Sequence, residues 1–565
     1  MRGWLLCGVA GATILFGPSA VADSTTERDV MDLIERPQIC GPGGSALDGA
    51  PVADMVMVDG FGTGGFQVDT DSPLAQAWFD HGVKLRWAFQ HSESVRAFQK
   101  ARLLDPECGM CAWGEAWALG ANLNGGGNDD ASQRAALKAA RDARRLARDA
   151  TPMQRQMIDA LVQRYSGVKS TRARRFAEGM DRIARANPDD VAVAAITADA
   201  WMIKVDDWWD DDGKAADPGI TRAMTILEQA LAKSPDDPGA IHLYIHLTEW
   251  SDDPHKAIPY GERLAALAPG ASHLVHMPSH TFYRVGRYRD AMMSNVNAVA
   301  LDLSYDEQAR PPGGVKGMPL HGHNVHFGMG GALMAGGAEE GIKLADWFLR
   351  TYPDPSPDNV WRQMVTNNAY AVYGRFGSPA QIAALKEPAA ALPMLRVSWR
   401  YARGEAAARA EDAAAVRAEA RAIAELRASA GFKTEPKPDD QSVFTELSQR
   451  ILEGRAAMIE GDHAAAIAAF TRAAEIQASG EEGGDPPVIW YPTRRSLAAA
   501  LLASGDAAAA RAKVLELIED WPNDPYSYFV LARAEAALGD ETAAAEALRR
   551  SRIEWIGGEM DLKLA

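Results

Sequence analysis

The sequence predicts an all-α solenoid, built from stacked helix pairs around a concave groove, and three observations predict it. Positions recur 34 residues apart near the C-terminus, where Gly505 and Ala510 are followed by Gly539 and Ala544. Proline and aspartate close the first of these units, in the phrase WPNDP. Ala-rich stretches such as residues 410–426 consist of strong helix formers.

Earlier units of the chain follow the same pattern. The phrases ESVRAFQKARLLDP, ITRAMTILEQALAKSPDDP and HKAIPYGERLAALAP each end at a proline. A 34-residue period, with Gly between two helices, Ala at their crossing and Pro at the end, resembles the tetratricopeptide repeat. The resemblance covers most of residues 73–558. It implies a superhelix whose concave face is lined by the first helix of each pair.

The chain divides into four predicted segments. The first resembles a secretory signal, because Arg2 precedes an apolar run and the small residues Ala20 and Ala22 suit cleavage before Asp23. The segments are a signal peptide at 1–22, an extended arm at 23–72, a solenoid with a His-rich groove at 73–376, and Ala-rich C-terminal repeats at 377–565. We therefore expect a secreted protein, located in the periplasm.

Composition excludes several classes of partner. The net charge of -17 is poorly suited to nucleic acid or to an anionic membrane surface. No segment after the signal reaches 18 consecutive apolar residues, so no stable membrane span is predicted. Only Cys40, Cys108 and Cys111 follow the signal, too few for a disulfide scaffold, and the fold must depend on apolar packing.

Histidines are concentrated in one part of the chain. Nine of the twelve lie within 85 residues, from His242 to His326. Neutral imidazole is a common ligand of zinc and copper, and spacings of three and four residues place rings on one side of a helix. The candidate metal ligands are His242, His246, His273, His276, His280, His321, His323 and His326.

The repeat resemblance implies that most of these rings face the groove. In this family, positions 2, 5, 9 and 12 of the first helix point into the groove. Counting from Pro238, Ser272 and Gly322 as first positions, seven of these histidines and Glu249 fall at such positions. His321 precedes the third unit, and His91 is interpreted as a packing residue.

Two further features accompany the histidines. Asp199 takes a groove position in a less regular unit, and we predict that it supports the site. An insertion of 16 residues lies between the second and third His-bearing units, and its Gly-Gly and Pro-Pro pairs suit a lid. If the insertion is a lid, we expect Tyr305 and Asp306 to point inward as partners of a ligand imidazole. The alternative is a mobile surface loop without a role.

Cys108 and Cys111 are separated by two residues at the start of a helix. Such a pair can form a redox-active disulfide, because a helix N-terminus stabilises a thiolate. In a secreted protein, a structural bridge between them, or from one of them to Cys40, is the other interpretation.

The phrases LDPECGMCAWGEAWALGANLN, HLYIHLTEW and HLVHMPSHTFYRVGRY resemble a group of secreted bacterial tetratricopeptide proteins. This resemblance brings no activity with it, so function must be argued from the site. The leading hypothesis is a metal-dependent oxidoreductase with a His-rich, dinuclear site. Copper is favoured because carboxylates are scarce among the ligands, with zinc or iron as other candidates.

Other functions remain open from the sequence. With zinc, the same groove would favour hydrolysis, with Glu249 as the catalytic base. A binding scaffold with a structural metal is a second class, and metal storage or delivery a third. The expected partner is a small-molecule or peptide substrate in the groove, and a protein partner is compatible with the repeat fold.

Overall fold

The structure is a computed structural model. It describes residues 51–124, 126–205, 207–210, 212–353, 359–429, 441–479, 486–487 and 489–565. The predicted signal peptide, most of the predicted arm, Cys40 and Asp206 lie outside the described residues.

The described chain is an all-α solenoid. Consecutive helices pack against one another along the chain. In these ranges the α-helices are α1 Pro73–Trp87, α2 His91–Leu104, α3 Gly109–Leu119, α4 Asp130–Leu146, α5 Pro152–Tyr165, α6 Arg172–Ala186, α7 Val191–Lys204, α8 Pro218–Lys233, α9 Pro238–Thr248, α10 Ile258–Leu267, α11 Ser272–His276, α12 Pro278–Arg284, α13 Tyr288–Ala309, α14 His321–Ala335, α15 Ala338–Thr351, α16 Val360–Phe376, α17 Pro379–Ala384, α18 Pro393–Arg409, α19 Ala413–Ala428, α20 Gln441–Glu460, α21 His463–Ser479, α22 Arg494–Ala503, α23 Ala507–Asp520, α24 Pro525–Leu538 and α25 Glu541–Ser551.

Aspartate and proline set where many of these helices begin. At α9, the Asp237 side chain accepts a hydrogen bond from the Ala240 amide, and Pro238 occupies the first turn. An N-cap carboxylate satisfies an amide that has no partner within the helix, and proline loses nothing in the first turn. The same pair, Asp524 and Pro525, begins α24. The DP phrases of the sequence are therefore helix starts as well as repeat ends.

The C-terminal repeats return to contact the middle of the chain. The Asn523 side chain donates to the Val285 carbonyl at 3.1 Å, and the Ile556 amide donates to the Ala335 carbonyl at 2.9 Å. Gly286 has a φ of +73° at this contact, and a Cβ on it would lie 1.7 Å from the Pro522 carbonyl oxygen. Only glycine fits this approach. Through these contacts the C-terminal repeats pack against the turn between α12 and α13 and the end of α14, helices that lie next to or carry the histidines.

The described part of the arm crosses the first repeats in an extended conformation after a short 3-10 turn at Val52–Asp54. The Gly270 amide donates to the Gly60 carbonyl at 2.7 Å, and the Gln154 side chain donates to the Gln67 carbonyl at 2.8 Å. The arm therefore ties α5 to the turn between α10 and α11.

Pro278 separates α11 from α12, with Met277 between them still in helical conformation. The predicted lid is shorter than the sequence indicated, because α13 continues to Ala309 and includes Tyr305 and Asp306. Across the described residues, no helix is both long and apolar enough to cross a membrane.

Candidate metal centre

The first group of histidines, here called the first triad, joins two helices. His242 and His246 lie one turn apart on α9, and His273 reaches them from α11. The Nε2 atoms of His242 and His273 face each other at 3.1 Å. One nitrogen from each of the three rings lies within 4.8 Å of the others.

The second triad joins the next two groups. It consists of His276 at the end of α11, His280 on α12 and His323 on α14. The Nε2 atoms of His276 and His280 are 2.9 Å apart, and those of His280 and His323 are 3.5 Å apart. Nitrogens sharing a tetrahedral zinc or similar ion at about 2.0–2.1 Å would be separated by about 3.3 Å. The measured distances lie on either side of that value.

The two triads lie side by side. The rings of His273 and His276 are stacked, with centroids 5.3 Å apart, and those of His246 and His280 are 5.6 Å apart. Each triad therefore contacts the other through two rings. The arrangement can hold two ions as neighbours within one enclosure, each bound by three imidazole nitrogens.

Burial determines the charge state of these rings. It lowers the pKa of His242 to about 3, and repulsion from His280 and Arg86 adds to the effect. Burial is also the main reason why the pKa values of His246, His273 and His276 lie well below the ordinary value, with repulsion from neighbouring histidines second. At neutral pH these imidazoles are uncharged, and each has a nitrogen lone pair available for a metal.

Hydrogen bonds fix which nitrogen of two rings faces the triad. His276 donates from Nδ1 to Oδ1 of Asn295 at 2.6 Å, and Asn295 is itself oriented by donating from Nδ2 to the Ala291 carbonyl at 2.7 Å. His280 donates from Nδ1 to Glu249 at 2.7 Å. In both rings Nε2 is left as the ligand atom. Partners of this kind set the tautomer and raise the basicity of a metal-binding imidazole.

We expect Asn295→Leu to weaken metal binding without removing a ligand. The substitution is close to isosteric but leaves Nδ1 of the buried His276 without its acceptor, so its ring loses a fixed tautomer. Loss of such a partner typically costs about 10- to 100-fold in metal affinity. Competition titration with a chelator measures the effect. Affinity equal to that of the wild type would show that Asn295 does not orient the ligand.

Glu249 contacts a ligand imidazole. Its Oε1 accepts from Nδ1 of His280, the nitrogen opposite the Nε2 atom that faces His276. The role of Glu249 as catalytic base stays a prediction. The residue is placed to orient His280.

Each triad is covered by one phenylalanine. Phe89, in the turn between α1 and α2, lies 4.3 Å from His242, 4.9 Å from His273 and 5.4 Å from His246, measured between ring centroids. Its φ of +52° is rare for a bulky residue and costs energy, as backbone strain at functional sites often does. Phe89 has no periodic signal in the sequence, because it lies in a turn.

Phe327 covers the second triad. Its ring lies 4.5 Å from His280, 4.9 Å from His323 and 5.0 Å from His276. The spacing of four residues from His323 to Phe327 could have indicated a shared helix face. Both phenylalanines are buried and apolar, so they limit the access of water to the nitrogens.

Two predicted ligands lie outside the triads. His321 is fully buried, donates from Nδ1 to Asp302 at 2.8 Å and packs against Trp347 with ring centroids 4.5 Å apart. His326 is buried but belongs to neither triad. Both are left out of the ligand set proposed below.

The predicted supporting residues make other contacts. Asp199 pairs with Arg86 at 3.5 Å, and Arg86 donates to Nδ1 of His91 at 2.8 Å. Tyr305 donates to Glu93 at 3.4 Å, while Asp306 accepts from the Val315 amide at 3.0 Å. None of the three carboxyl or hydroxyl groups binds a triad histidine in these contacts.

His91 lies just outside the first triad. Its ring packs on Phe89 with centroids 5.0 Å apart. Burial lowers its pKa well below the ordinary value, and the positive charge of Arg86 acts in the same direction. The interpretation of His91 as a packing residue fits this position.

Cys108 and Cys111 form a disulfide at the start of α3. Both are buried, and Asp69 accepts hydrogen bonds from the Gly109 and Met110 amides at 3.1 and 2.8 Å in the same turn. The described arm contacts this turn through Asp69.

No family model matches the chain, and no curated protein matches it. Solved structures match at low sequence identity and low structural similarity. They include a human IFIT1 dimer with m7Gppp-AAAA (13% identity, 86% of this chain and 90% of that chain, TM-score 0.27). A second is Naa15/Naa10 bound to HypK-THB (11%, 85% and 88%, TM-score 0.21). A third is the APC/C hetero-tetramer Cut9-Hcn1 (10%, 84% and 76%, TM-score 0.25).

Proposed function

We propose that the protein holds two copper ions, one in each triad, and catalyses the oxidation of an organic donor by dioxygen. One observation supports this above the others: six histidines from four helices converge as two adjacent groups of three. A pair of equivalent three-nitrogen sites matches a reaction that needs two electrons at once. The proposed setting is the periplasm, where a disulfide such as Cys108–Cys111 persists.

The donor set favours copper over the other candidates. Both triads offer imidazole nitrogens only, whereas non-haem iron oxygenases use two histidines with a carboxylate, and manganese prefers oxygen ligands. Zinc also accepts three imidazoles, but hydrolysis then needs a base beside the metal-bound water. Glu249, the base named by the sequence, is engaged behind His280.

A bound copper pair would supply two-electron redox chemistry, and two donor molecules, each giving two electrons and two protons, would balance the conversion of one dioxygen to two waters. The chain's own residues prepare this chemistry. Neutral, buried imidazoles present their lone pairs without first losing a proton. Phe89 and Phe327 exclude water from the rings, while Asn295 and Glu249 hold His276 and His280 in the required tautomer.

Access to the site is proposed to run along the groove. His246 and His323 are partly exposed, and the other four triad histidines are buried. A small organic donor would therefore approach between α9 and α14. Enclosure of the triads also favours a second candidate, a binding scaffold in which the metals are structural, since structural sites are closed.

We expect the purified protein, reconstituted with copper and then dialysed, to hold about two copper ions per chain. The two triads have equal numbers of ligands, and each closed set of three nitrogens should retain its ion. Elemental analysis measures the ratio. A value well below one ion per chain, with copper and with zinc alike, would contradict the proposed centre.

Oxygen consumption distinguishes the two candidate functions. The dicopper protein should consume dioxygen when supplied with a panel of phenolic and other two-electron donors, and the dizinc protein should not. Paired copper(II) ions also couple magnetically, so their electron paramagnetic resonance signal should account for far less than the total copper. Stable binding of two coppers without oxygen consumption on any donor would favour the scaffold.

A further inference from the structure

A partly open cavity lies elsewhere in the structure, and no histidine lines it. It is a cavity of about 480 Å³ between the start of α15, the end of α16 and the segment after α25. Its walls include Arg375, Phe376, Tyr526 and Trp555. Pockets for small ligands are typically about 300–1,000 Å³ and mostly apolar, with a few placed polar groups.

Arg375 is one of the charged groups that line this cavity, together with Arg409 and Glu405. Its guanidinium lies over four aromatic rings, 4.4 Å from the centroid of Trp490, 5.1 Å from Tyr526, 5.4 Å from Trp555 and 5.6 Å from Phe376. The nitrogens Nε and Nη2 are buried and have no hydrogen-bond partner among the described residues. A buried donor without a partner is costly, and for a charged group the cost is larger.

The neighbouring buried arginines differ from Arg375 in having carboxylate partners. Arg455 pairs with Glu405 at 3.3 Å, and Arg495 pairs with Asp524 at 2.9 Å. In the part of the chain that the structure describes, no carboxylate lies within 4 Å of Arg375. The Arg375 guanidinium therefore has an unfilled position for an anion.

The helix that begins at this cavity adds to the attraction for an anion. Helix α15 starts at Ala338 after Gly337, and no side chain caps it. The first amides of a helix of this length attract negative charge through their free N–H groups and the helix dipole. Gly337 and Ala338 both line the cavity.

The rim of the cavity has the opposite charge. Glu339 and Glu559 line it and are exposed, and Glu340 lines it and is half-buried. A simple anion would be repelled on its way in. A ligand with a carboxylate at one end and an ammonium group beside it would satisfy both the inner arginine and the acidic rim.

We propose that this cavity binds a free α-amino acid, with its carboxylate on Arg375 and its ammonium group toward the glutamates of the rim. The apolar walls formed by Phe376, Trp555 and Ile556 would take the side chain. Aromatic and aliphatic amino acids fit this lining better than acidic ones. The site is separate from the triads and does not depend on a bound metal.

Calorimetric titration of metal-stripped protein tests this assignment with three related probes. L-Phenylalanine should bind saturably with one site per chain. N-Acetyl-L-phenylalanine lacks the ammonium charge and L-phenylalanine methyl ester lacks the carboxylate, so each should bind roughly 10- to 100-fold more weakly, the equivalent of one charge-assisted hydrogen bond. No saturable binding of phenylalanine, or equal binding of the N-acetyl compound, would overturn the proposal.

Variants locate the binding. Arg375→Met should abolish it, whereas Arg494→Met, which removes a half-buried arginine that is paired with Asp520 and does not line the cavity, should leave it unchanged. If Arg375→Met fails to fold by circular dichroism, Arg375→Lys keeps the charge but loses the planar pair of donors, and should bind about 10-fold more weakly. Unchanged affinity in both the Met and Lys variants, or in a folded Lys variant alone, would place the ligand elsewhere.

Discussion

His276→Ala is expected to remove one of the two metal ions and to reduce oxygen-dependent turnover by at least about 100-fold, since that is the upper range for losing even a supporting partner of a ligand. His276 supplies Nε2 to the second triad, 2.9 Å from Nε2 of His280, and its Nδ1 is held by Asn295. Without it, two imidazoles remain in that triad. Elemental analysis and oxygen-electrode kinetics measure the two effects.

The fold should survive this substitution. Solenoid stability is a sum over repeats and their interfaces, so the loss of one groove-facing ring affects one repeat. His463 is the matched control, because it begins α21 and belongs to neither triad. His463→Ala should retain both ions and full turnover. Equal metal loss in the two variants, or collapse of helical circular dichroism in His276→Ala, would contradict the assignment.

A second large effect is expected from pH. Metal-free protein should lose stability steeply as the pH falls below 6.5, the ordinary pKa of histidine. In the folded state burial lowers the pKa of His242 to about 3, and the pKa values of His273 and His276 also lie well below 6.5. The unfolded chain therefore binds more protons than the folded chain in this range, and acid favours unfolding.

The size of the pH effect follows from the number of rings. Each buried neutral histidine contributes about 1.4 kcal/mol per pH unit below 6.5, so His242, His273 and His276 together give a slope of about 4 kcal/mol per pH unit. For His242 the loss continues until the pH approaches about 3. Stability from these groups is fully present only above 6.5.

Thermal unfolding of the metal-free protein in a pH series between about 7.5 and 5 measures this slope. In the metal-bound protein the loss of stability should occur at lower pH, because the ions compete with protons for the same nitrogens. His255, which is exposed, provides the control: His255→Ala should leave the slope unchanged. A midpoint independent of pH in the metal-free protein would mean that the rings are not buried in neutral form.

Several features of the protein were available from the sequence alone. The 34-residue period, the Asp-Pro helix starts and the small residues at helix crossings predict the solenoid, because they act locally within one helix pair. The spacing of His242 and His246 fixes a shared side of one helix for the same local reason. Residue counting along the repeat predicts that His242 and His246 both face the groove.

The tertiary structure decided how the histidines are grouped. In the sequence His273, His276 and His280 form one cluster, but the structure divides them, giving His273 to the triad of α9 and the other two to His323 of α14. Periodicity describes one helix at a time and contains no information on which neighbour a ring meets. That depends on how helices cross and on the break between α11 and α12 at Pro278.

The same limit applies to the residues around the triads. Phe89 reaches His242 through a turn with positive φ, and Asn295 reaches His276 from α13, so neither carries a spacing signal. Residue counting predicts that Glu249 faces the groove. In the structure its carboxylate accepts a hydrogen bond from His280, because α12 packs beside α9. The sequence determined which histidines share one side of a helix, because that follows from helical geometry. Packing between helices decided which atoms meet, because that depends on distances no single repeat defines.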